Sequence, residues 1–465
     1  MRQAKSMRDT VVGTVMAKVT ITSAVLLLTM GVASAQTTST ATGQTQATNP
    51  GTSAPQTITL QDALQRAKSN SPEFQAALTE FGLAREDRVQ SRAALLPSVN
   101  YTTQFVYTQG NGTSAGRFIA NNGVHEYLAQ GNAHQVVSYG DIADYRRARA
   151  VEAAARARSE IAQRGLVAAV VKLYYGLLAT ERKYATAQQA AAEAERFFNI
   201  SQKLEKGGEV AHSDVVKANL QFQQQKRDLQ EAQLGMETAR LDLAILLFPD
   251  FNQNFTVVDD LQAAQAVPTF DEAQSMAAKE NPELRAALAS FQAAKHEVGV
   301  AWGGVLPTLT MDYFYGIDAS HFAVSQFDPV SGMNVRNLGY QASATLQLPI
   351  WNWGAGRSKI KQADLREHQA QVELTFAQKQ ALSNLREFYS EVAVSRSELD
   401  SLNQSAEMAA ESLRLTNLRY QAGEATVLEV VDAQNTLTAA RNADDDGQVR
   451  FRLAVAHLQT LTGSF

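Results

Sequence analysis

The sequence predicts a mainly α-helical fold with a transmembrane β-barrel contribution, and three observations carry that prediction. The stretch Arg357 to Ala422 runs for about 66 residues without Gly or Pro, which at ~1.5 Å per residue is a helix of roughly 100 Å. Residues 60 to 99 recur without a gap 210 positions later, so the helical plan is duplicated. Each copy also contains paired stretches whose apolar period switches to two, long enough for a tilted strand to cross a bilayer.

At the N-terminus, Arg2, Lys5, Arg8 and Lys18 precede the apolar run Val19 to Val32, and Ala33-Ser34-Ala35 supplies the small-x-small pattern of a cleavable secretory signal over residues 1–35. The run is ~14 residues, short of the ~20 that span a bilayer as a helix. Without those residues Lys+Arg falls from 42 to 38 and Asp+Glu from 47 to 46, a net charge of -8. No basic stripe remains, so no nucleic-acid partner is expected. Cysteine is absent, which excludes disulfides, thiolate metal sites and cysteine nucleophiles. Residues 36–57 are rich in Thr, Ser, Gln and Gly, with almost nothing to bury, and read as a disordered leader.

The two copies read as repeats at 58–257 and 258–465. Ser71-Pro72-Glu73 corresponds to Asn281-Pro282-Glu283, Phe81 to Phe291 and Leu96-Pro97 to Leu306-Pro307. Ser71 and Asn281 are N-caps with proline at the first helical position. A helix follows in each copy and stops before the next proline, which disfavours helix in the residue preceding it.

The strand hairpins are expected at about 97–139 and 307–351. Val99, Tyr101, Phe105 and Tyr107 oppose Asn100, Thr102, Gln104 and Thr108; Leu309, Met311, Tyr313, Tyr315 and Ile317 form the corresponding apolar face in the second copy. Tyr340 to Ile350 alternates most clearly, and the tips 110–123 and 318–339 read as polar loops. The rods Asp141 to Lys206 and Arg357 to Ala422 come next. Each ends in a Gly-containing turn and returns as a shorter helix, Glu209 to Leu247 and Glu424 to Leu461. The short helices of each copy together match the rod in length, so they can stack end to end beside it.

Two hairpins supply four strands per chain, yet an open sheet edge has no partner in lipid. Closed membrane barrels begin at about eight strands, so closure requires oligomerisation, as a dimer of eight strands or a trimer of twelve.

The order of elements, with Arg419-Tyr420-Gln421-Ala422-Gly423-Glu424 through Leu428-Glu429-Val430-Val431-Asp432-Ala433-Gln434 and its weaker copy Lys206-Gly207-Gly208-Glu209 through Ser213-Asp214-Val215-Val216-Lys217-Ala218, resembles the outer membrane efflux protein family, the TolC-type channels of Gram-negative bacteria. The resemblance spans about Ile58 to Gly463. It implies a homotrimer with one shared twelve-stranded barrel among outer-membrane lipid and a coiled-coil helical tunnel crossing the periplasm. It also implies two partners, a periplasmic adaptor (membrane fusion) protein and an inner-membrane transporter of RND, ABC or MFS type, with no enzymatic activity and no cofactor. The two turns would form the periplasmic tip, with adaptor docking around Gly208, Glu209, Val210, Asp214, Gly423, Glu424 and Ala425. Glu429 and Asp432 would ring a cation-selective constriction, and Tyr420 would join the interhelical contacts that hold it closed. The chain departs from the family pattern at Glu205, which stands where the second turn has Tyr420, and at Ala425, where some relatives carry a basic gate residue.

Other motifs weigh less. Glu429 and Asp432 lie on one helical face, and a ring of such carboxylates selects cations and raises their pKa values. Gly112-Thr113-Ser114-Ala115-Gly116 fits the GxSxG pattern, but that motif needs a strand leading straight into a helix, and here it falls in a hairpin tip. Asp444-Asp445-Asp446 reads as a solvated surface, and the seven histidines show no ligand spacing, so no metal is assigned. Two other classes remain compatible with the sequence, a trimeric coiled-coil surface or adhesion protein, which has no need of paired strand hairpins, and a secreted hydrolase built on Ser114.

Overall fold

The computed structural model describes residues 56–107, 125–250, 254–263, 265–328 and 331–464. The first repeat holds β1 (Gln56–Ile58), α1 (Leu60–Asn70), α2 (Pro72–Ala93), β2 (Ser98–Tyr107), β3 (His125–Val137), α3 (Tyr139–Lys206) and α4 (His212–Leu247). The second holds β4 (Phe255–Val257), α5 (Phe270–Glu280), α6 (Pro282–Gly303), β5 (Thr308–Ala319), the ribbon β6 (Ser325–Asp328) and β7 (Met333–Arg336), β8 (Leu338–Gln347), α7 (Ala355–Gln421) and α8 (Val427–Thr462). Matching helices agree closely in length: 11 and 11, 22 and 22, 68 and 67, 36 and 36 residues.

Several boundaries differ from the sequence reading, among them the starts of α4 and α8, at His212 and Val427 rather than Glu209 and Glu424. Gln56 and Thr57, assigned to the leader, are strand, because β1 pairs in parallel with β4. β4, the partner of β1, lies just before the division between repeats expected at 258. The 318–339 tip is no polar loop: it folds back as the β6–β7 ribbon and exposes Phe322, Phe327 and Met333. The signal peptide, the rest of the leader, the 110–123 tip and Ser114 lie outside the described residues.

The strands form one antiparallel sheet in the order β2-β3-β5-β8. Its register puts Tyr101, Gly131 and Tyr315 in one row with Tyr340, and Val99, Ala133 and Tyr313 in another with Ala342. One face is therefore apolar. The alternate rows place Asn100, Asn132, Phe314 and Gln341 together, and His134 beside Asp312, whose carboxylate lies 2.7 Å from the His134 Nδ1. Within the chain, β2 and β8 are unpaired edges.

The helices repeat the sheet's order. α3 packs along α2 near the sheet and along α4 near the far turn; α6 and α8 fill the space between α3 and α7. Arg88 on α2 pairs with Glu152 of α3 at 2.7 Å, and Arg450 of α8 with Glu391 and Glu398 of α7 at 2.6 and 2.8 Å. The end-to-end succession is visible at the joints. Asn70, closing α1, donates to the Leu247 carbonyl at 2.6 Å where α4 stops. Arg164 of α3 donates to the carbonyls of Thr460 and Glu280, at 2.6 and 2.8 Å, where α8 and α5 stop.

Midway along α3 the wall thickens into a core. Val170, Val171, Tyr174 and Leu177 pack against Ile58, Ala63, Leu243 and Leu247. Among the described residues α3 is the one helix long and apolar enough to cross a membrane, and its apolar stretch is spent here. The Tyr174 hydroxyl, buried, accepts from Val258 N–H at 3.0 Å and also lies 3.2 Å from the Ile58 carbonyl, tying β1 to β4. Burial pushes its pKa up to about 12. Buried Arg452 stacks on Tyr175 at 5.7 Å and holds the carbonyls of Leu261 and Ala263. Asp445 is not the solvated residue expected of the Asp444-Asp446 run. It is buried and meets Arg182 at 3.1 Å, a guanidinium that also holds Asp259.

Candidate functional site

The two helical turns at the end farthest from the sheet close in the same way. After α3, Gly208 takes φ +76°, and after α7, Gly423 takes the same value, the left-handed conformation that glycine adopts at least cost. Glu209 N–H then reaches back to the Leu204 carbonyl and Glu424 N–H to that of Arg419, at 2.9 and 2.8 Å. Both are Schellman closures, which satisfy helix-end carbonyls without a side chain.

The returning helices start differently. Thr426 caps α8 reciprocally: its hydroxyl accepts from Glu429 N–H at 3.4 Å, and the Glu429 carboxylate accepts from Thr426 N–H at 3.1 Å. The corresponding residue before α4, Ala211, offers no side-chain cap. There the link is His212 Nδ1 with the Glu205 carboxylate at 2.7 Å.

Between the turns lies a small apolar knot of Phe197, Ala218, Tyr420, Val427 and Val430. The Tyr420 ring sits 4.9 Å from that of Phe197, and its hydroxyl hydrogen-bonds the fully buried Ser201 at 3.0 Å. Burial raises the Tyr420 pKa. The partner of Tyr420 within the chain is thus a hydroxyl on α3 rather than a cation. Deeper in, Asn435 accepts from buried Gln221 at 2.8 Å and joins α8 to α4.

Glu429 and Asp432 are both exposed. Inside one chain Glu429 departs from the raised pKa that a carboxylate ring predicts. Hydrogen bonds from Thr426, with Arg419 3.4 Å away, hold its carboxyl below the usual range. Arg419 also donates to the Glu424 carbonyl at 3.1 Å. Of the residues expected around adaptor docking, Gly208, Glu209, Gly423 and Glu424 are exposed, Val210 and Ala425 rest against the apolar knot, and Asp214 lies 3.4 Å from Lys217. An open groove of about 350 Å³ separates α3 from α7 just above, lined by Arg196, Phe197, Ile200, Leu413, Arg414 and Arg441. Among the described residues no three His, Asp or Glu side chains form a metal-binding group.

Sequence reasoning missed three contacts here. Thr426 to Glu429 carries the T-x-x-E capping signature and was findable. Arg419 with Glu429 follows once that cap is drawn. Ser201 with Tyr420, 219 residues apart, has no local signal.

A family model described as outer membrane efflux protein matches residues 63–247 and 273–464. The chain belongs to the outer membrane efflux protein family. The first matched segment runs from within α1 to the end of α4, and the second from within α5 to just past α8. The outer membrane protein TolC of Vibrio cholerae is 23% identical over 412 residues, covering 87% of this chain and 90% of that protein. The alkaline protease secretion protein AprF of Pseudomonas aeruginosa is also 23% identical, covering 87% and 84%. Among solved structures, the CmeC outer membrane channel of Campylobacter jejuni superposes with a TM-score of 0.74 at 16% identity, over 87% of this chain and 85% of that one. Family membership places the chain in the outer membrane as a transport component.

Proposed function

We propose that three copies close into one twelve-stranded barrel continued by a helical tunnel, and that the assembly is the exit duct of a tripartite efflux or type I secretion system. The observation that carries this reading is the four-stranded sheet with one apolar face and two unpaired edges. In lipid those edges have a partner only in another copy, β2 against β8. The homotrimer that the family resemblance implies favours twelve strands over eight. The helical wall fits the same closure: its outer members, α4 and α7, expose Leu220, Leu234 and Ile245 on one side and Leu365, Val372 and Phe376 on the other.

At the tip, the residues flanking Gly208 and Gly423 receive a periplasmic adaptor, and Glu429 with Asp432 lines the constriction. An inner-membrane transporter of RND, ABC or MFS type supplies the energy. Asp432 is the stronger determinant of the pair, because Glu429 already spends its charge on Thr426 and Arg419. Reconstituted wild-type protein should migrate as a heat-modifiable oligomer and conduct ions in planar bilayers; absence of both overturns the duct. Asp432→Asn should shift the reversal potential in asymmetric salt toward non-selectivity more than Glu429→Gln does. Unchanged potentials in both variants remove the gate assignment.

A further inference from the structure

Below β8 the structure carries a surface that neither the tunnel nor the tip uses. Past Gln347 the chain stays extended through Pro349 and then turns at Asn352–Gly354 into α7. Ile350, Trp351 and Trp353 there are 92%, 75% and 89% exposed. The two indoles meet edge to face at 5.8 Å and leave their outer surfaces uncovered. Trp353 also has φ +55°, the one positive value on a non-glycine residue among those described. A bulky L-residue resists that conformation, and nothing the ring touches within the chain offsets it.

The charges beside it are equally out of place. Arg357, Lys359 and Lys361 occupy the first turns of α7, all exposed, with no acidic residue in the first turn and no side-chain cap. Positive charge at a helix N-terminus opposes the helix dipole. None of the three pairs with a carboxylate among the described residues. The first repeat does the opposite at the same junction. Ser138 caps α3, Asp141 sits in its first turn, and Tyr139 takes the place of Trp353.

From Leu346 to Lys361 the chain therefore passes from the apolar face of the sheet, through two amphipathic aromatics, to three unpaired cations. That is the order of a bilayer's hydrocarbon, interface and headgroup layers. We propose that Trp351 and Trp353, with Arg357, Lys359 and Lys361, form one membrane-surface anchor per chain that binds anionic lipid on the periplasmic side of the outer membrane. The occupant is lipid rather than a neighbouring copy because the cations need an anionic surface and the patch follows in the chain directly on Leu346, the last apolar-face residue of β8. The inference rests on that sheet crossing the membrane.

Tryptophan quenching tests the anchor apart from the barrel, since the chain has only three tryptophans. The full-length assembled protein is reconstituted with Trp353 as the sole indole, through Trp302→Phe and Trp351→Phe. Lipids brominated near the headgroup should quench it and aqueous iodide should not. Brominated anionic lipid should quench severalfold more than brominated zwitterionic lipid, and Arg357→Gln with Lys359→Gln and Lys361→Gln should erase that preference. A control with all three tryptophans replaced by Phe and Tyr313→Trp on the apolar face reports membrane insertion itself. If the control is quenched by deeply brominated lipid but Trp353 is not, the anchor is wrong and the barrel stands. If neither is quenched, the barrel reading fails with it. Trp353→Gly gives a second reading, because glycine accepts φ +55°. The detergent-solubilised oligomer should remain at least as heat-resistant as wild type. A loss of resistance in detergent means that the ring packs against protein, which overturns the proposal.

Discussion

Tyr420 and Ser201 come from helices that the sequence leaves far apart, and their hydroxyls meet where water does not reach. Removing one leaves the other buried without its partner, at a cost of about 1–3 kcal/mol. Tyr420→Phe and Ser201→Ala should each destabilise the tip, while the double variant loses less than their sum; a double-mutant cycle on thermal unfolding checks this. Glu429 makes a pH prediction with a definite sign. Its folded pKa lies below its ordinary value of 4.5, so its capping contribution is present above that value and lost as pH falls through the lower folded one. Hydrogen exchange at the first turn of α8 should therefore accelerate as pH drops below 4.5, beyond the intrinsic rate change. Thr426→Ala should abolish that acid-dependent component and cost about 1 kcal/mol. Much of this scale was legible: the T-x-x-E signature and both turn glycines stand in the sequence. Ser201 was not, because a contact across 219 positions is set by how two helices are rotated against each other.

Among the elements, α3 and α6 meet at a tight junction. A Cβ on Gly303 would lie 2.3 Å from the Gly140 Cα, backbone that cannot swing aside. Gly303→Ala should cost about 1–3 kcal/mol or more and disturb the passage from β3 into α3. Gly165 on α3 has open space where a Cβ would go, so Gly165→Ala should stabilise by roughly 0.5–1 kcal/mol. Thermal denaturation of the two variants should move in opposite directions. Helix existence and length were readable because Ser71-Pro72, Asn281-Pro282 and the two Gly-turns punctuate the chain. β1 and β4 were not, since three residues carry no periodicity; what makes them strands is each other and the Tyr174 hydroxyl. The β6–β7 ribbon was hidden for a related reason, its Gly332 turn and polar flanks reading as loop.

At the scale of the whole molecule the alternation of the sheet decides where the chain can live. Met311 belongs to the apolar face and Thr310, beside it, to the polar one. Met311→Arg should cost about 2–4 kcal/mol in the membrane and deplete the heat-resistant oligomer, while Thr310→Arg should assemble and alter conductance. Equal effects from both would contradict the orientation of the sheet. The duplicated plan was legible in the gapless recurrence of residues 60 to 99, whereas neither sheet edge, β2 or β8, finds a partner among the described residues. The parallel pairing of β1 with β4 adds a temporal consequence. Gln56 waits for Phe255, far downstream in the chain, and contacts of such separation form slowly. Helical hairpins close locally first, so β1, the first of the described strands, is among the last to be placed. The two repeats are also held together by α3 against α6 and by β3 against β5, and the Tyr174 hydroxyl ties the last strands between them.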